Sequence, residues 1–288
     1  MFLKSILNQR KSVVGRGNSR VLFYSSLFLL CALLVSLPSR AETQQVEGLD
    51  FDRVVVMGSV EVEISQGDEV ELLMRGSSSD LEKQPFFMDG DTLVLGSSKK
   101  HRKDFGSVRF KLTVVNIEHL QLTGSGDIYV KPLVVEDLYV SVDGSGEIKL
   151  FGVRGRDLSL SVSGSGEVQV VELEGEDVKI VVSGSGELFL GQMKADKVKV
   201  SLAGSGDISV QEKSETKKLE INLAGSGDVD LENLEALSVE VNIAGSGEAN
   251  VSAAEELDVN IMGSGGVYYR GSPDISQSIL GSGDVEPL

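Results

Sequence analysis

The chain has 288 residues, and its 44 Asp and Glu outnumber its 27 Lys and Arg, for a formal net charge of -17 at neutral pH. An acid excess of that size speaks against nucleic acid or bare anionic lipid as partners, since both reward clustered Lys and Arg. A single cysteine, Cys31, excludes a disulfide framework and a thiolate metal site.

Residues 1–41 read as a segment apart from the fold. Lys4, Arg10, Lys11, Arg16 and Arg20 form a basic leader without acids, residues 21–37 are a mostly apolar run, and Pro38-Ser39-Arg40-Ala41 follows. Small residues at Ser39 and Ala41 suit a cleavage site between Ala41 and Glu42, the pattern of a secretory signal peptide. An uncleaved anchor is the rival, because the run approaches the length of a membrane span. A lipoprotein signal is the weaker reading, since Leu30 precedes Cys31 where a small residue is wanted. Cleavage would remove six positive residues, take the formal charge to -23 and leave no cysteine. Membrane contact would then be confined to the signal segment before cleavage.

Residues 42–123 contain irregular strand-like stretches. Phe51–Val56, Val60–Ile64, Val70–Leu73, Leu93–Leu95 and Val108–Leu112 alternate or run apolar, with turns near Gly58, Gly67 and Gly76. They read as irregular first coils that cap a solenoid, whose bare end would be a template for edge pairing. At the other end Pro273 and Pro287 cannot donate to a ladder.

Residues 124–288 are a regular repeat. Gly-Ser-Gly opens at Gly124, Gly144, Gly164, Gly184, Gly204, Gly225, Gly245, Gly263 and Gly281, at intervals of 18 to 21 residues. A fixed period of this size marks a protein of stacked coils, each burying its apolar face against its neighbours. Within a coil, Ile148 and Leu150 alternate with Lys149, and Leu158, Leu160 and Val162 alternate with Ser159 and Ser161. Period two means strands with one buried face. A further apolar point recurs in the looser turn, at Leu133, Val153, Leu173, Met193 and Leu234. The predicted fold is all-β: a single-chain parallel β-solenoid of coils of about 20 residues, right-handed by the usual hand of crossovers. Glycine suits the repeated corner because it takes positive φ without steric cost.

The pattern from Phe51 onward, with Gly58, Val60-Glu61-Val62-Glu63-Ile64 and Gly67-Asp68, and above all the recurring Gly-Ser-Gly-Asp/Glu corners, resembles the bacterial autotransporter adhesin head GIN domain family. The resemblance covers about residues 50 to 285, so that 42–288 reads as one continuous region of this type. It implies a β-helical fold and an envelope or extracellular location: periplasm, outer-membrane surface or beyond. No segment reads as an outer-membrane translocator barrel, so surface export would need another route.

Four features are candidate sites. Asp127, Glu147, Glu167, Glu187, Asp207, Asp228 and Glu248 follow successive corners. They should stack along one edge, where close like charges raise one another's pKa or recruit cations such as calcium. The plainer reading is solvated turn residues, because mixed Asp and Glu reach to different depths. Second, an outward ladder of Ser141, Ser161, Val181, Ser201, Asn222, Asn242, Asn260 and Ser278 is either a structural amide ladder or a flat polar strip for glycan. Third, Lys99-Lys100-His101-Arg102-Lys103 is the one basic cluster, either solvated or docked on an anionic envelope polymer or a neighbouring acid column. Last, a glycosidase needs only two suitably separated carboxylates. Yet the acids here sit at repeat positions, and His101 and His119 are the only histidines.

The expectation is therefore an exported, non-enzymatic binding or adhesion module of the cell envelope, without a cofactor unless calcium occupies the acid column. Its partners would be envelope or host-surface glycans or proteins. The alternative is a periplasmic scaffold with no ligand of its own, and a polysaccharide-cleaving enzyme comes a distant third.

Overall fold

A computed structural model describes residues 41–100 and 105–288. Residues 1–40, which include Cys31 and nearly all of the expected signal segment, lie outside the described residues, as do His101, Arg102 and Lys103. Ser39–Leu288 forms one compact unit, with one continuous aliphatic core of its own.

That unit is a parallel β-solenoid, built from two long strand ladders and a short third one. In the first ladder Asp127, Glu147, Glu167, Glu187, Asp207, Asp228 and Glu248 pair in register from coil to coil. In the second, Leu138, Leu158, Val178, Val198, Leu219, Val239 and Leu257 do the same. The third joins Leu133, Val153, Leu173 and their neighbours. The inward columns, such as Val140, Leu160, Ile180, Val200, Ile221, Val241 and Val259, are all but inaccessible to solvent. Each such side chain contributes about 1.5–3 kcal/mol on burial. The exposed coil-to-coil ion pairs, such as Arg154–Glu174 and Lys194–Glu215 at 2.6 Å, are screened by water and add little. The columns hold the stack, and the ion pairs decorate it.

The corners show why the repeat demands glycine. Gly204 has φ +134°, and a Cβ there would press on the carbonyl oxygen of Gly184 in the preceding coil. That oxygen accepts the Ser205 N–H at 2.9 Å. The corner thus has no room for a side chain between stacked coils. The variable period is absorbed on the opposite side of the coil. The 21-residue step places its extra residue before Ser214, a buried serine in the third apolar column. Its hydroxyl accepts from Met193 N at 2.8 Å and donates to Glu212 O at 2.9 Å, so this polar plug is satisfied. The 18-residue steps begin with register shifts after Leu231 and Ala236, where the corner holding Leu234 is left out.

The amino-terminal region is stacked out of sequence order. Strands β1 (Glu42–Val46), β2 (Arg53–Gly58), β3 (Glu61–Gln66), β4 (Glu71–Gly76), β5 (Phe86–Asp89), β6 (Thr92–Leu95), β7 (Arg109–Val114), β8 (His119–Gly124) and β9 (Asp127–Val130) are involved. β2 and β3 form a coil whose Gly58 pairs with Gly124. That coil lies between two others, because β2 pairs with both β6 and β8, and β3 with both β7 and β9. The later β6 and β7 therefore lie on the outer side of the earlier coil. Beyond them the pairing turns antiparallel, β5 on β6, β4 on β7 and β1 on β4. A short helix, α1 (Ser78–Leu81), is capped by Ser77, and Leu81 and Phe105 are buried in this end of the core.

Candidate binding face

Alternation in the second ladder puts Leu219, Ile221 and Leu223 inside and leaves Glu220, Asn222 and Ala224 outside. The next coil repeats this with Glu240, Asn242 and Ala244, and the one after with Asp258, Asn260 and Met262. Three columns therefore climb this face of the carboxy-terminal coils: acidic, carboxamide and apolar. The parallel in-register ladder spaces their members about 4.8 Å apart, which is close enough for the amides to join. Asn242 Nδ2 donates to Asn222 Oδ1 at 3.2 Å, and Asn260 Nδ2 to Asn242 Oδ1 at 3.0 Å. The acids orient the amides from the side, as Asn222 Nδ2 donates to Glu220 Oε1 at 3.0 Å and Asn242 Nδ2 to Glu240 Oε1 at 3.2 Å. Glu220 is itself gripped by Lys199 at 2.6 Å. The hydrogen bond from Lys199, then that from Asn222, holds its carboxyl below the usual carboxylate range.

The carboxamide and apolar columns line a groove of about 740 Å³, with Ser201, Asn222, Asn242 and Asn260 running beside Ala203, Ala224, Ala244 and Met262. Met262 is 63% exposed and Leu280, at the end of the groove, 73%. Such a channel offers hydrogen bonds along one side and apolar contact along the other, the usual make-up of a ligand site. The strip expected from the sequence is therefore a groove rather than a flat surface. Its amides are engaged with one another, as the structural reading of the ladder required. A second hollow of about 480 Å³ lies over the amino-terminal part of the same ladder, lined among others by His119, Tyr139, Lys179 and Lys199. There the His119 and Tyr139 rings lie 5.6 Å apart. A larger hollow of about 930 Å³ on another side is lined by Lys194, Asp196, Glu215 and Lys217. These groups neutralise one another, at 2.6 Å for Lys194–Glu215 and 2.8 Å for Lys217–Asp196. It makes a poor ligand site.

The acid column is real as a register but does not converge. Asp207 Oδ1 accepts from Asp228 N at 3.4 Å, and Asp228 Oδ1 from Glu248 N at 3.2 Å, so these aspartates turn back onto corner amides. Glu167 stands between Glu147 and Glu187. Burial first, then repulsion from those two glutamates, raises its carboxyl above the ordinary value, with Lys149 opposing. Burial, followed by Asp127, Glu147 and Glu61, likewise raises the Tyr129 hydroxyl. Among the described residues no three His, Cys, Asp or Glu side chains are gathered as the ligands of a metal ion would be. Of the basic cluster, Lys99 lies over the Phe87 ring at 5.1 Å and 4.0 Å from Asp89, folded back on the chain itself. Glu42, on the far side of the expected cleavage point, opens β1.

Sequence reading missed the apolar column, although a signal was present. The residue before each Gly-Ser-Gly runs Thr123, Asp143, Ser163, Ser183, Ala203, Ala224, Ala244, Met262, Leu280, passing from polar to apolar along the stack.

The chain matches the family model "Putative auto-transporter adhesin, head GIN domain" over residues 50–215 and 159–273. Among solved structures it is similar to a putative lipid binding protein from Parabacteroides distasonis ATCC 8503, at 27% identity and TM-score 0.62, over 87% of this chain and 98% of that one. It is also similar to a putative adhesin from Parabacteroides merdae ATCC 43184, at 17% identity and TM-score 0.65, over 87% and 97%. A putative adhesin from Parabacteroides distasonis ATCC 8503 has 19% identity and TM-score 0.63, over 87% and 98%. The last two show the shared fold. No curated protein matches.

Proposed function

From the premise that the chain belongs to the autotransporter adhesin head GIN domain family, we propose that it is an exported, non-enzymatic binding module of the bacterial cell envelope. Its binding face is the groove between the Asn ladder and the Ala203-to-Leu280 column. The observation that carries this reading is the groove itself, about 740 Å³ of amphipathic channel crossing successive coils. An extended ligand would run along the stack, its polar groups on the amide row and its apolar part on the alanines and Met262. The family's description as an adhesin head domain and the name of the structural relative at 27% identity, a putative lipid binding protein, support binding over catalysis. The basic leader and apolar run of residues 1–41 support export.

The test uses purified residues 41–288 against envelope glycans, whole cells and lipid vesicles, each with calcium and with chelator. Ala224→Lys fills the groove at an exposed position and leaves the core untouched. Saturable binding that this variant abolishes supports the groove. Binding that it leaves intact places the ligand elsewhere, and dependence on calcium would move it to the acid column. No binding at all favours the scaffold reading.

A further inference from the structure

The two ends of the solenoid differ. At the amino-terminal end the outermost strand is β1, Glu-Thr-Gln-Gln-Val, laid antiparallel on β4. At the other end the strand Asp274–Gly281 pairs only with residues 256–263 of the coil above it, in parallel. Its other edge is open, and every one of its residues is exposed. Ile275 and Ile279 continue the inward columns of Leu257 and Ile261, yet are 43% and 38% exposed. Gln277 stands where Val140, Leu160, Ile180, Val200, Ile221, Val241 and Val259 fill that column in earlier coils. An open, partly apolar strand edge is a template for pairing with another chain.

Ile275-Ser276-Gln277-Ser278-Ile279 reads the same in both directions. We propose that this edge is a homodimer interface, in which the strand pairs antiparallel with the same strand of a second copy about a twofold axis at Gln277. The symmetry argues for a second copy rather than a different partner, because an isologous interface must be self-complementary. In this register Ile275 lies opposite Ile279 of the second copy, on the inward side of both chains. Ser276 lies opposite Ser278, on the outward side. The aliphatic columns then run through the junction, Leu257 and Ile275 meeting Ile279 and Ile261 of the second copy. The two Gln277 amides face each other across the axis, where each can donate to the other. This also accounts for a polar residue at the end of an otherwise aliphatic column. The pairing uses up this edge of Asp274–Gly281 in both copies, so the strand pairing closes at two.

The proposal is tested with residues 41–288, which hold every described strand and no cysteine. Sedimentation across protein concentrations up to about 100 µM should show a monomer–dimer equilibrium by mass action. Ile279→Lys puts a charge on the open edge without entering the closed core, so it should shift dissociation at least about tenfold weaker. Its urea midpoint should match the parent's under monomeric conditions. Gln277→Cys should cross-link to itself on mild oxidation, since directly opposed Cβ atoms lie about 4.5–5.5 Å apart, near disulfide reach. Ile275→Cys should cross-link with Ile279→Cys when the two are mixed, and not with itself. A monomer throughout the concentration range overturns the proposal, and so does a dimer indifferent to Ile279→Lys. Open-ended polymers, or self-cross-linking of Ile275→Cys in preference to Gln277→Cys, overturn the twofold register.

Discussion

Three glycine-to-alanine substitutions separate the two reasons why the corner is glycine. Gly90 has φ +61° and nothing within 4 Å of where its Cβ would stand, so alanine there meets only a backbone cost. That cost is about 1–2 kcal/mol, less about 0.4–1 kcal/mol returned by stiffening the unfolded chain. Gly206 has no positive φ to maintain, but its Cβ would press on the Gly186 carbonyl oxygen and come 3.0 Å from Val182 Cγ1. Overpacking of that kind costs about 1–3 kcal/mol. Displacing the Asp207 N–H from Gly186 O, now at 3.2 Å, adds about 1 kcal/mol. Gly204 combines a like contact with φ +134°, and the disfavoured backbone adds about 1–3 kcal/mol more. Urea unfolding should therefore rank the losses Gly90→Ala below Gly206→Ala below Gly204→Ala. With a slope of about 2 kcal/mol per M, Gly206→Ala should unfold about 1–2 M before the parent. If Gly206→Ala unfolds with the parent while Gly204→Ala does not, the corner needs glycine for its backbone angle alone. The stacking argument would then be wrong.

Val200 is fully buried in the middle of an aliphatic column, so Val200→Asp should abolish the strand signal in circular dichroism at neutral pH, because an unpaired carboxylate has no partner there. A Val200→Asp chain that melts like the parent would mean the inward register is misassigned. Glu167 is less favourable as a carboxylate in the fold than in the unfolded chain, its pKa being raised. The stability tied to its protonated form is present below the ordinary carboxylate value and lost as pH rises through the raised one. Glu167→Gln should therefore raise Tm at neutral pH and give no gain near pH 3, whereas a lowered Tm at neutral pH would contradict the repulsive column. Asn242 donates to Asn222 and Glu240 and accepts from Asn260. At about 1 kcal/mol per bond, partly regained from water, Asn242→Ala should cost about 1–2 kcal/mol in urea unfolding. No loss would show that the ladder is incidental to stability.

Much of this protein is determined by sequence alone, because a solenoid repeats one local solution. Two-residue alternation assigns Leu158, Leu160 and Val162 to the core, and the Gly-Ser-Gly period aligns them with Val178, Ile180 and Val182. No other register buries every column, since a shift by one residue turns each side chain to the opposite face. The acid column and the Asn ladder follow from the same arithmetic. Other features depend on which chain segments meet, and no period encodes that. Nothing in Thr92–Leu95 or Arg109–Val114 says that they lie outside the coil made by Arg53–Gly58 and Glu61–Gln66. That order depends on where a long connection returns the chain, so only the tertiary structure decided it. Ser214 likewise looks like a turn residue until the extra residue of its coil carries it into the third apolar column. The groove, finally, is a property of several coils together. Alternation says which residues face out, but only the stacked sheet decides whether Ala203, Ala224, Ala244 and Met262 stand on a ridge or line a channel.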